Sequence, residues 1–318
     1  MSILGHNIFM ASDQALQFST LIKARQNEIC DALSAIDDAT FQVDDWTRPG
    51  GGGGNTRILS SDTFEKAGVN TSQVYGHISK KETPMFSTLI KKVDPNFALT
   101  DDSHFFATGV SLVIHPKNPY VPTVHANYRY FECTNNSSSI WWMGGGADLT
   151  PYYLDEEDIA HFHVTHQTIC ENFQTGCYDD YKKACDEYFY LPHRGETRGV
   201  GGIFFDYLSN DYDDQFSFIS NISRGFIDAY LPIVKKQKDK PYTDNHREWQ
   251  AVRRGRYAEF NLLYDRGTLF GLKTNGRIES ILMSMPPKAE WQYNLVPRKD
   301  SPEDLMLQVL KKPRHWTK

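Results

Sequence analysis

Two long runs of β-branched and aromatic residues, joined by a short proline-containing connection, place the strongest constraint on the fold. The runs cover residues 105–115 and 121–132, and Pro116 and Pro119 lie between them. Valine, isoleucine, phenylalanine and tyrosine favour strands, and proline prevents both runs from belonging to one element. So short a connection joins strands that pair with each other. We therefore predict a strand pair here, followed by a third strand over residues 139–143.

The other segments predict both helices and strands. Apolar residues at helical spacing, with Asp13 as N-cap, predict a helix over residues 13–36. Asp155, followed by an acidic first turn, predicts a helix that ends near Phe173. Further helices are predicted over residues 178–190, 214–236, 245–256 and 302–312. Further strands are predicted over residues 55–59, 202–207, 258–264, 268–273 and 279–285.

This order of elements favours an α+β fold. Strands follow one another in places and alternate with helices in others, without a regular βαβ repeat. We therefore predict a large, mostly antiparallel sheet covered by helices on both faces. No repeat or linker divides the chain, so residues 1–318 are predicted to form a single domain.

Charge and cysteine usage exclude several classes of protein. The net charge is −6, from 34 basic and 40 acidic residues, which argues against nucleic-acid binding. The 5 cysteines form no Cys-x-x-Cys pair, which predicts reduced thiols rather than disulfides or a zinc knuckle. The opening segment resembles neither a signal nor a transit peptide, and no stretch approaches the roughly 18 apolar residues that a membrane span needs. We expect a cytoplasmic protein without a membrane span.

Two glycine-rich segments stand out. Gly50–Gly54 lacks the Gly-Lys-Ser/Thr ending of a phosphate-binding loop, so it predicts a flexible lid or a close approach of the backbone to a ligand. Gly144–Gly146 follows Trp141–Trp142 and precedes Asp148. We expect the three glycines to break the strand and present Asp148 from flexible backbone.

The histidines allow two interpretations. Neutral imidazole is a common ligand of divalent metals, and several histidines of this chain could converge on one ion. These are His115, His125, His163 and His193. Each could equally be a hydrogen-bonded structural histidine. The chain has no His-Glu-x-x-His motif, and His161 lies on the opposite side of a predicted helix from His163.

Carboxylates and arginines in the same segments leave similar alternatives. Asp148, Asp206 and Asp265 are turn or cap residues by default. Arginines are usually solvated surface residues, but Arg129, Arg198, Arg266 and Arg277 lie beside glycine, tyrosine or asparagine rather than on amphipathic helices. A guanidinium grips a carboxylate through two parallel hydrogen bonds. The residues alone thus predict an α+β enzyme with an anion-binding polar site.

The motifs resemble those of the oxygen-dependent coproporphyrinogen III oxidase family. The resemblance runs from about Trp46 to Pro287, and its motifs occupy residues 110–116, 125–130, 141–151, 199–206 and 264–268. It implies oxidative decarboxylation of the ring A and B propionates of coproporphyrinogen III to vinyl groups. The products would be protoporphyrinogen IX, carbon dioxide and hydrogen peroxide, with O2 as co-substrate. It implies no organic cofactor, whereas a divalent metal is described only in bacterial members.

The resemblance also implies residue roles. His125 would be the proton donor, and Asp148 and Asp265 would bind pyrrole N–H groups. The substrate contacts would be Ser111, Asn127, Tyr128, Arg129, Arg198, Arg266, Asn275, Gly276 and Arg277. The family often has glycine where this chain has Asn275. The metal, where bound, would lie at His115, His125, His163 and His193.

The family further implies a homodimer, with residues 257–292 as the dimerisation segment. The apolar residues of this segment could instead face the core of a single subunit. Two other functions stay open: a metal-dependent hydrolase or oxygenase that uses the histidines, and a non-catalytic tetrapyrrole carrier.

Overall fold

A seven-stranded antiparallel sheet organises the part of the chain that the computed structural model describes, residues 11–273 and 276–317. Its strands, in spatial order, are β1 (Gln42–Thr47), β2 (Gly52–Leu59), β3 (Phe64–His77), β4 (His104–Pro116), β5 (Thr123–Thr134), β6 (Ser139–Thr150) and β9 (Gly201–Leu208). The short strands β7 (Tyr190–Leu191) and β8 (Glu196–Thr197) form a separate pair. The predicted α+β class, with a large antiparallel sheet in a single domain, is confirmed.

Helices pack on both sides of this sheet. They are α1 (Asp13–Asp37), α2 (Thr83–Ile90), α3 (Glu156–Phe173), α4 (Cys177–Tyr188), α5 (Tyr212–Gln237), α6 (Asp244–Leu263), α7 (Arg266–Lys273), α8 (Ile278–Leu282) and α9 (Pro302–Lys311). Asp155 caps α3 as predicted, by accepting a hydrogen bond from the backbone N–H of Asp158. The N-cap of α1 is Ser12, one residue before the predicted Asp13. No helix of the described residues is long and apolar enough to cross a membrane.

The main core lies on one face of the sheet. Val110, Leu112 and Ile114 alternate along β4, so their side chains point to the same face. They are buried with the apolar side of α1, including Phe18 and Ile22. Residues of α3 and α5 belong to the same core. Burial of these side chains fixes the register, because a slip by one residue would turn every one of them to the other face.

Among the described residues, helices cover the opposite face at its two ends. At one end, Phe86 of α2 packs against Phe105 and Phe131 of the sheet. At the other end, Met283 covers Gly68, and a Cβ added at Gly68 would lie 1.5 Å from the sulfur of Met283. The strands between these two coverings carry half-buried polar residues, among them Ser111, Asn127 and Arg129.

The predicted strands at 258–264, 268–273 and 279–285 are wrong. Residues 258–263 continue α6, and the other two segments contain α7 and α8. Within residues 257–273 the only β-branched residue is Thr268. Short apolar runs fit either element, and the scarcity of β-branched residues favours the helix. Tyr257, Phe260 and Asn261 then lie on one buried helical face.

The glycines after the tryptophan pair were also misinterpreted. Gly144–Gly146 lie within β6, which continues to Thr150 instead of ending at residue 143. Gly52–Gly54 begin β2, where a Cβ on Gly52 would come within 2.1 Å of the carbonyl oxygen of Gln73. Both segments therefore place bare backbone next to neighbouring strands. The strands β1 and β3 and the helix α2 were not predicted.

Candidate active site

The register of the central strands brings the predicted polar residues together. Asn127 of β5 lies opposite Ser111 of β4 and Gly146 of β6. Two residues after Asn127, Arg129 lies opposite Gly144. Two residues before Asn127, His125 lies opposite Asp148. Residues two apart share one side of a strand. The uncovered side of the sheet that carries these residues (Ser111, His125, Asn127, Arg129, Gly144 and Gly146) is called the open face below.

Glycines leave part of the open face without side chains. A Cβ on Gly146 would lie 2.4 Å from the carbonyl oxygen of Ile203, and one on Gly144 would lie 2.5 Å from Oδ1 of Asp206. Ser111, Asn127 and Arg129 beside them are half-buried. Glycine permits a ligand to approach the backbone closely. At Gly144 and Gly146 neighbouring atoms occupy the space of a side chain, so the half-buried Ser111, Asn127 and Arg129 are the groups that a ligand on this face would meet.

A buried ion pair supports one end of the open face. Nη2 of Arg198 donates to Oδ1 and Oδ2 of Asp148 at 2.9 and 2.8 Å. Nδ1 of His125 lies 2.8 Å from Oδ1 of the same carboxylate. The side chains of Asp148 and Arg198 are each 2% exposed, whereas that of His125 is 23% exposed. Of these three side chains, His125 is therefore the one that a ligand on the open face reaches.

The charge of Asp148 is set by these neighbours. Burial by itself would raise the pKa of Asp148, but the guanidinium of Arg198 and the ring of His125 more than offset it, so the pKa lies below its ordinary value. Arg198 is held in turn by Oδ1 of Asn261 at 2.6 Å. Its guanidinium carbon also lies 4.1–4.9 Å from the ring centroids of Phe189, Tyr257 and Phe260. Asp148 is thus a fixed anion beside a fixed cation.

A second ionic group lies at the other end of the open face. Nη2 of Arg129 is 2.8 Å from Oδ2 of Asp206, and Nη2 of Arg266 is 3.8 Å from the same oxygen. Nη1 of Arg129 donates to Oδ1 of Asn127 at 2.9 Å. The side chain of Arg266 is 49% exposed and stacks over Tyr188. This group of two arginines and one carboxylate can bind an anion.

Sequence reasoning missed Asp206 as a site residue, because the default interpretation of this carboxylate is a turn or cap residue. The only available signal was its alternation with Phe204 on the predicted strand, which places both on one side of it. The approach of Arg129 and Arg266 to Asp206 depends on strand pairing and on the start of α7, neither of which the sequence specifies.

Asp265 acts as a helix cap in the structure. Its Oδ2 accepts a hydrogen bond from the backbone N–H of Thr268 at 2.7 Å, in the first turn of α7. Its Oδ1 accepts from the hydroxyl of Tyr188 at 2.9 Å. The role of Asp265 toward a pyrrole N–H stays a prediction.

The other expected substrate contacts are dispersed. The hydroxyl of Tyr128 donates to the carbonyl oxygen of Ile222 in α5, so the side chain points away from the open face. Arg277 pairs with Asp44 of β1 and donates to Ser280. Gly276 donates its N–H to the carbonyl oxygen of Gly271 at 2.8 Å. Asn275 lies outside the described residues.

The four candidate metal ligands have separate partners. Nδ1 of His163 is 2.8 Å from the hydroxyl of Tyr178, on the helical side of the sheet. Nε2 of His115 is 3.0 Å from the carbonyl oxygen of Ser284. His193 lies between Tyr264 and Glu259, and His125 contacts Asp148. Across residues 11–273 and 276–317, no group of three or more histidine, cysteine, aspartate or glutamate side chains is placed to hold a metal ion. The predicted four-histidine set therefore does not fit a metal site.

Burial favours the neutral form of two of these histidines. Burial, reinforced by Arg254, holds the pKa of His115 well below its ordinary value. Burial, reinforced by Lys182, does the same for the pKa of His163. Both rings are fully buried, and their Nδ1 atoms contact the hydroxyls of Thr123 and Tyr178 respectively.

We expect Arg198→Met to destabilise the protein by about 3–5 kcal/mol at neutral pH, because it leaves the buried carboxylate of Asp148 without its cation. In the wild type, the lowered pKa of Asp148 stabilises the fold above the unfolded carboxyl pKa of about 4, and this contribution is lost at lower pH. In the variant, burial raises that pKa, so the loss of stability should shrink as the pH falls from 7 to 5. Urea unfolding at the two pH values measures this.

Arg224→Met serves as the control, since Arg224 is exposed on α5. It should change the free energy of unfolding by less than about 0.5 kcal/mol at both pH values. An Arg198→Met variant as stable as this control would show that the buried pair does not hold Asp148.

Comparisons with known proteins identify the family of this chain. Residues 17–316 match the family described as Coproporphyrinogen III oxidase. Coproporphyrinogen-III oxidase 1, chloroplastic, of Arabidopsis thaliana is 47% identical over 316 residues, which cover 96% of this chain and 80% of that relative. The oxygen-dependent coproporphyrinogen-III oxidase, chloroplastic, of Glycine max is 48% identical over 309 residues, 94% of this chain and 79% of that relative. The protein belongs to the coproporphyrinogen III oxidase family.

Proposed function

We propose that this protein converts the ring A and B propionates of coproporphyrinogen III to vinyl groups, with O2 as the oxidant. The conversion of each propionic acid group to a vinyl group consumes one O2 and releases one CO2 and one H2O2. The observation that supports this most directly is that one open face carries His125 with its buried Asp148–Arg198 support and, at its other end, the arginine cluster of Arg129 and Arg266.

The arginines are suited to the propionates. A guanidinium–carboxylate pair contributes roughly 1.5–3 kcal/mol when it is shielded from water. Arg129 and Arg266 lie at the edge of the open face and are only partly buried, so each retains surface for a ligand carboxylate. Arg198 is different, because Asp148 and Asn261 already occupy it and its side chain is buried. We assign Arg198 to positioning Asp148 instead of binding a propionate.

His125 is the group proposed to exchange protons with the substrate. A proton on Nδ1 points to Asp148, which leaves Nε2 as the nitrogen that accepts or donates a proton at the ligand. Asp148 stays ionised beside Arg198. Its negative charge therefore stabilises positive charge on the imidazole of His125 and on an oxidised pyrrole of the substrate nearby. We propose that Asp148 acts mainly through His125, because Asp148 itself is almost inaccessible.

The electrons come from the reduced tetrapyrrole in this proposal. Two electrons and two protons pass to O2, which becomes H2O2, as the C–H bond at the propionate β-carbon and the bond to the carboxylate break. The protein positions the reacting propionate, supplies fixed charges and excludes water. This division of labour requires no flavin, haem or metal.

The test is anaerobic mixing with coproporphyrinogen III followed by admission of O2, with and without a chelator. We expect equal formation of protoporphyrinogen in both buffers, and one H2O2 per CO2. Product only without chelator would contradict the metal-free mechanism and favour a metal-dependent enzyme. Binding without product would leave a tetrapyrrole carrier as the function.

We expect His125→Gln to lower kcat by about 10²–10⁴-fold, the usual contribution of a positioned acid or base. His161→Gln is the matched control, since His161 lies on α3, where Nε2 contacts the carbonyl oxygen of Asp228. The control should retain wild-type kcat and KM. A similar loss in both variants, or none in His125→Gln, would remove His125 from proton transfer.

A homodimer formed through residues 257–292 is also proposed. This segment exposes several large apolar side chains: Leu262, Leu263, Phe270, Leu272, Ile278 and Trp291. Tyr257, Phe260 and Met283 of the same segment are buried within the subunit, so only part of it faces the core. Clustered exposed apolar residues of this kind favour a protein interface.

We expect Leu263→Glu to weaken the dimer, because a charge would be buried at the interface. The side chain of Leu263 is 56% exposed in the single subunit, and that of Leu16 on α1, outside this segment, is 49% exposed. Sedimentation should therefore give a dimer for the wild type and for Leu16→Glu, but a monomer for Leu263→Glu at low micromolar concentration. A monomeric wild type would contradict the proposal.

A reducing compartment is proposed from the buried free thiols of Cys30, Cys133, Cys170, Cys177 and Cys185. The cytoplasm is our proposal among such compartments. Both plant relatives carry a chloroplastic name, so imaging of a tagged protein in its own cell is the measurement that distinguishes them.

A further inference from the structure

We propose that Asp206 is a positioning residue that holds the guanidiniums of Arg129 and Arg266 side by side, so that together they grip one propionate of the substrate. This inference rests on the proposed function, which it deepens by adding a residue to the carboxylate-binding end of the open face.

The contacts of Asp206 place it between the two arginines. Its Oδ2 lies 2.8 Å from Nη2 of Arg129 and 3.8 Å from Nη2 of Arg266. Its Oδ1 accepts a hydrogen bond from the backbone N–H of Tyr207 at 3.1 Å. The side chain of Asp206 is mostly buried, whereas both arginines keep part of their surface exposed. The carboxylate therefore lies beneath the guanidiniums, and their outer edges face the ligand.

The local backbone is shaped around this carboxylate. Gly145 pairs with Phe205 and Met143 pairs with Leu208, so Asp206 and Tyr207 both lie opposite the single residue Gly144. This is a β-bulge, a feature that redirects a side chain. Tyr207 has a φ of 60°, a left-handed conformation that is unfavourable for a bulky residue. Residues in such strained conformations are found most often at functional sites.

Gly144 completes this arrangement. A Cβ at this position would lie 2.5 Å from Oδ1 of Asp206 and 2.9 Å from Nη2 of Arg129. A side chain at this position would therefore separate the carboxylate from the guanidinium. The bulge, the strained Tyr207 and the bare Gly144 all serve the same contact, which an ordinary surface ion pair does not require.

Electrostatics explains why a carboxylate is needed here. Two guanidiniums close together repel each other, and a negative charge between them offsets that repulsion. Arg129, Arg266 and Asp206 together carry one net positive charge, which matches the single negative charge of one propionate. Arg129 is additionally oriented by Asn127, whereas the guanidinium of Arg266 stacks over Tyr188 and Phe204, interacts with the hydroxyl of Tyr188 and pairs with Asp206. Removing the charge of Asp206 should therefore weaken the restraint on Arg266 and increase the repulsion between the two arginines.

The experiment compares wild type, Asp206→Asn and the control Asp239→Asn. Asparagine has nearly the shape of aspartate and keeps the acceptor for Tyr207, but lacks the charge. Asp239 is an exposed residue in the turn after α5 that pairs with Lys238. The stable oxidised tetracarboxylate coproporphyrin III is the probe, and its Kd is measured by fluorescence titration without O2. Steady-state turnover of coproporphyrinogen III gives KM and kcat.

Asp206→Asn is expected to raise Kd and KM by about tenfold, the equivalent of one weakened ionic contact, while kcat stays within about threefold. Asp239→Asn should change none of the three. In an Arg129→Gln background, Asp206→Asn should raise Kd by less than about twofold, because the pair it organises is already broken.

Three results would overturn the inference: an unchanged or lower Kd in Asp206→Asn, a loss of kcat with constant KM, or an equally large effect in the Arg129→Gln background. Thermal unfolding checks that Asp206→Asn is folded. If it is not, Asp206→Ser is used instead, and the same changes in Kd, KM and kcat are expected of it. The titration is independent of turnover. A wild type that binds coproporphyrin III without forming product would overturn the proposed reaction, and the Kd series would still decide the role of Asp206.

Discussion

The Asp148–Arg198 ion pair is the interaction on which the candidate site depends. It joins β6 to the segment that precedes β9, and through Asn261 it reaches α6. Burying two charges costs much of what their attraction returns, so such a pair contributes little to net stability, yet removing either partner leaves an uncompensated charge. The aromatic rings around Arg198 keep water away and provide cation–π contacts. The pair therefore fixes where negative charge lies under the open face.

The candidate site also depends on the antiparallel register of the strands, which places the polar side chains where a ligand can contact them. His125, Asn127 and Arg129 share one side of β5 because they alternate along the strand, and the apolar residues between them hold the register from the other side. Gly144 and Gly146 let atoms of β9 approach β6 closely, because an added Cβ would meet Oδ1 of Asp206 at the first position and the carbonyl oxygen of Ile203 at the second. A rigid core on one face thus presents a polar, partly bare surface on the other, and the helices at the ends of the sheet limit its extent.

Much of this arrangement could be predicted from the sequence, and the rest could not for physical reasons. The β4–β5 pair, the Asp155 cap and the grouping of His125 with Asn127 and Arg129 follow from periodicity and turn residues that act locally. The end of α6 and the helices α7 and α8 could not be predicted, because short apolar runs fit both helices and strands. The burial of Arg198 and the bulge at Asp206 depend on contacts between distant segments, so no local pattern indicates them.

Exposure separates the charged residues of the site into two functions. The side chains of Asp148 and Arg198 are almost completely buried, so their charges are held in place and are not screened by water. His125, Arg129 and Arg266 are partly exposed, and they can change partners when a ligand arrives. An acidic protein with a net charge of −6 must concentrate its positive charge to attract a tetracarboxylate. Arg129 and Arg266 provide this positive charge at the edge of the open face. The buried Asp148–Arg198 pair beneath the face keeps the charge beside the reacting pyrrole constant.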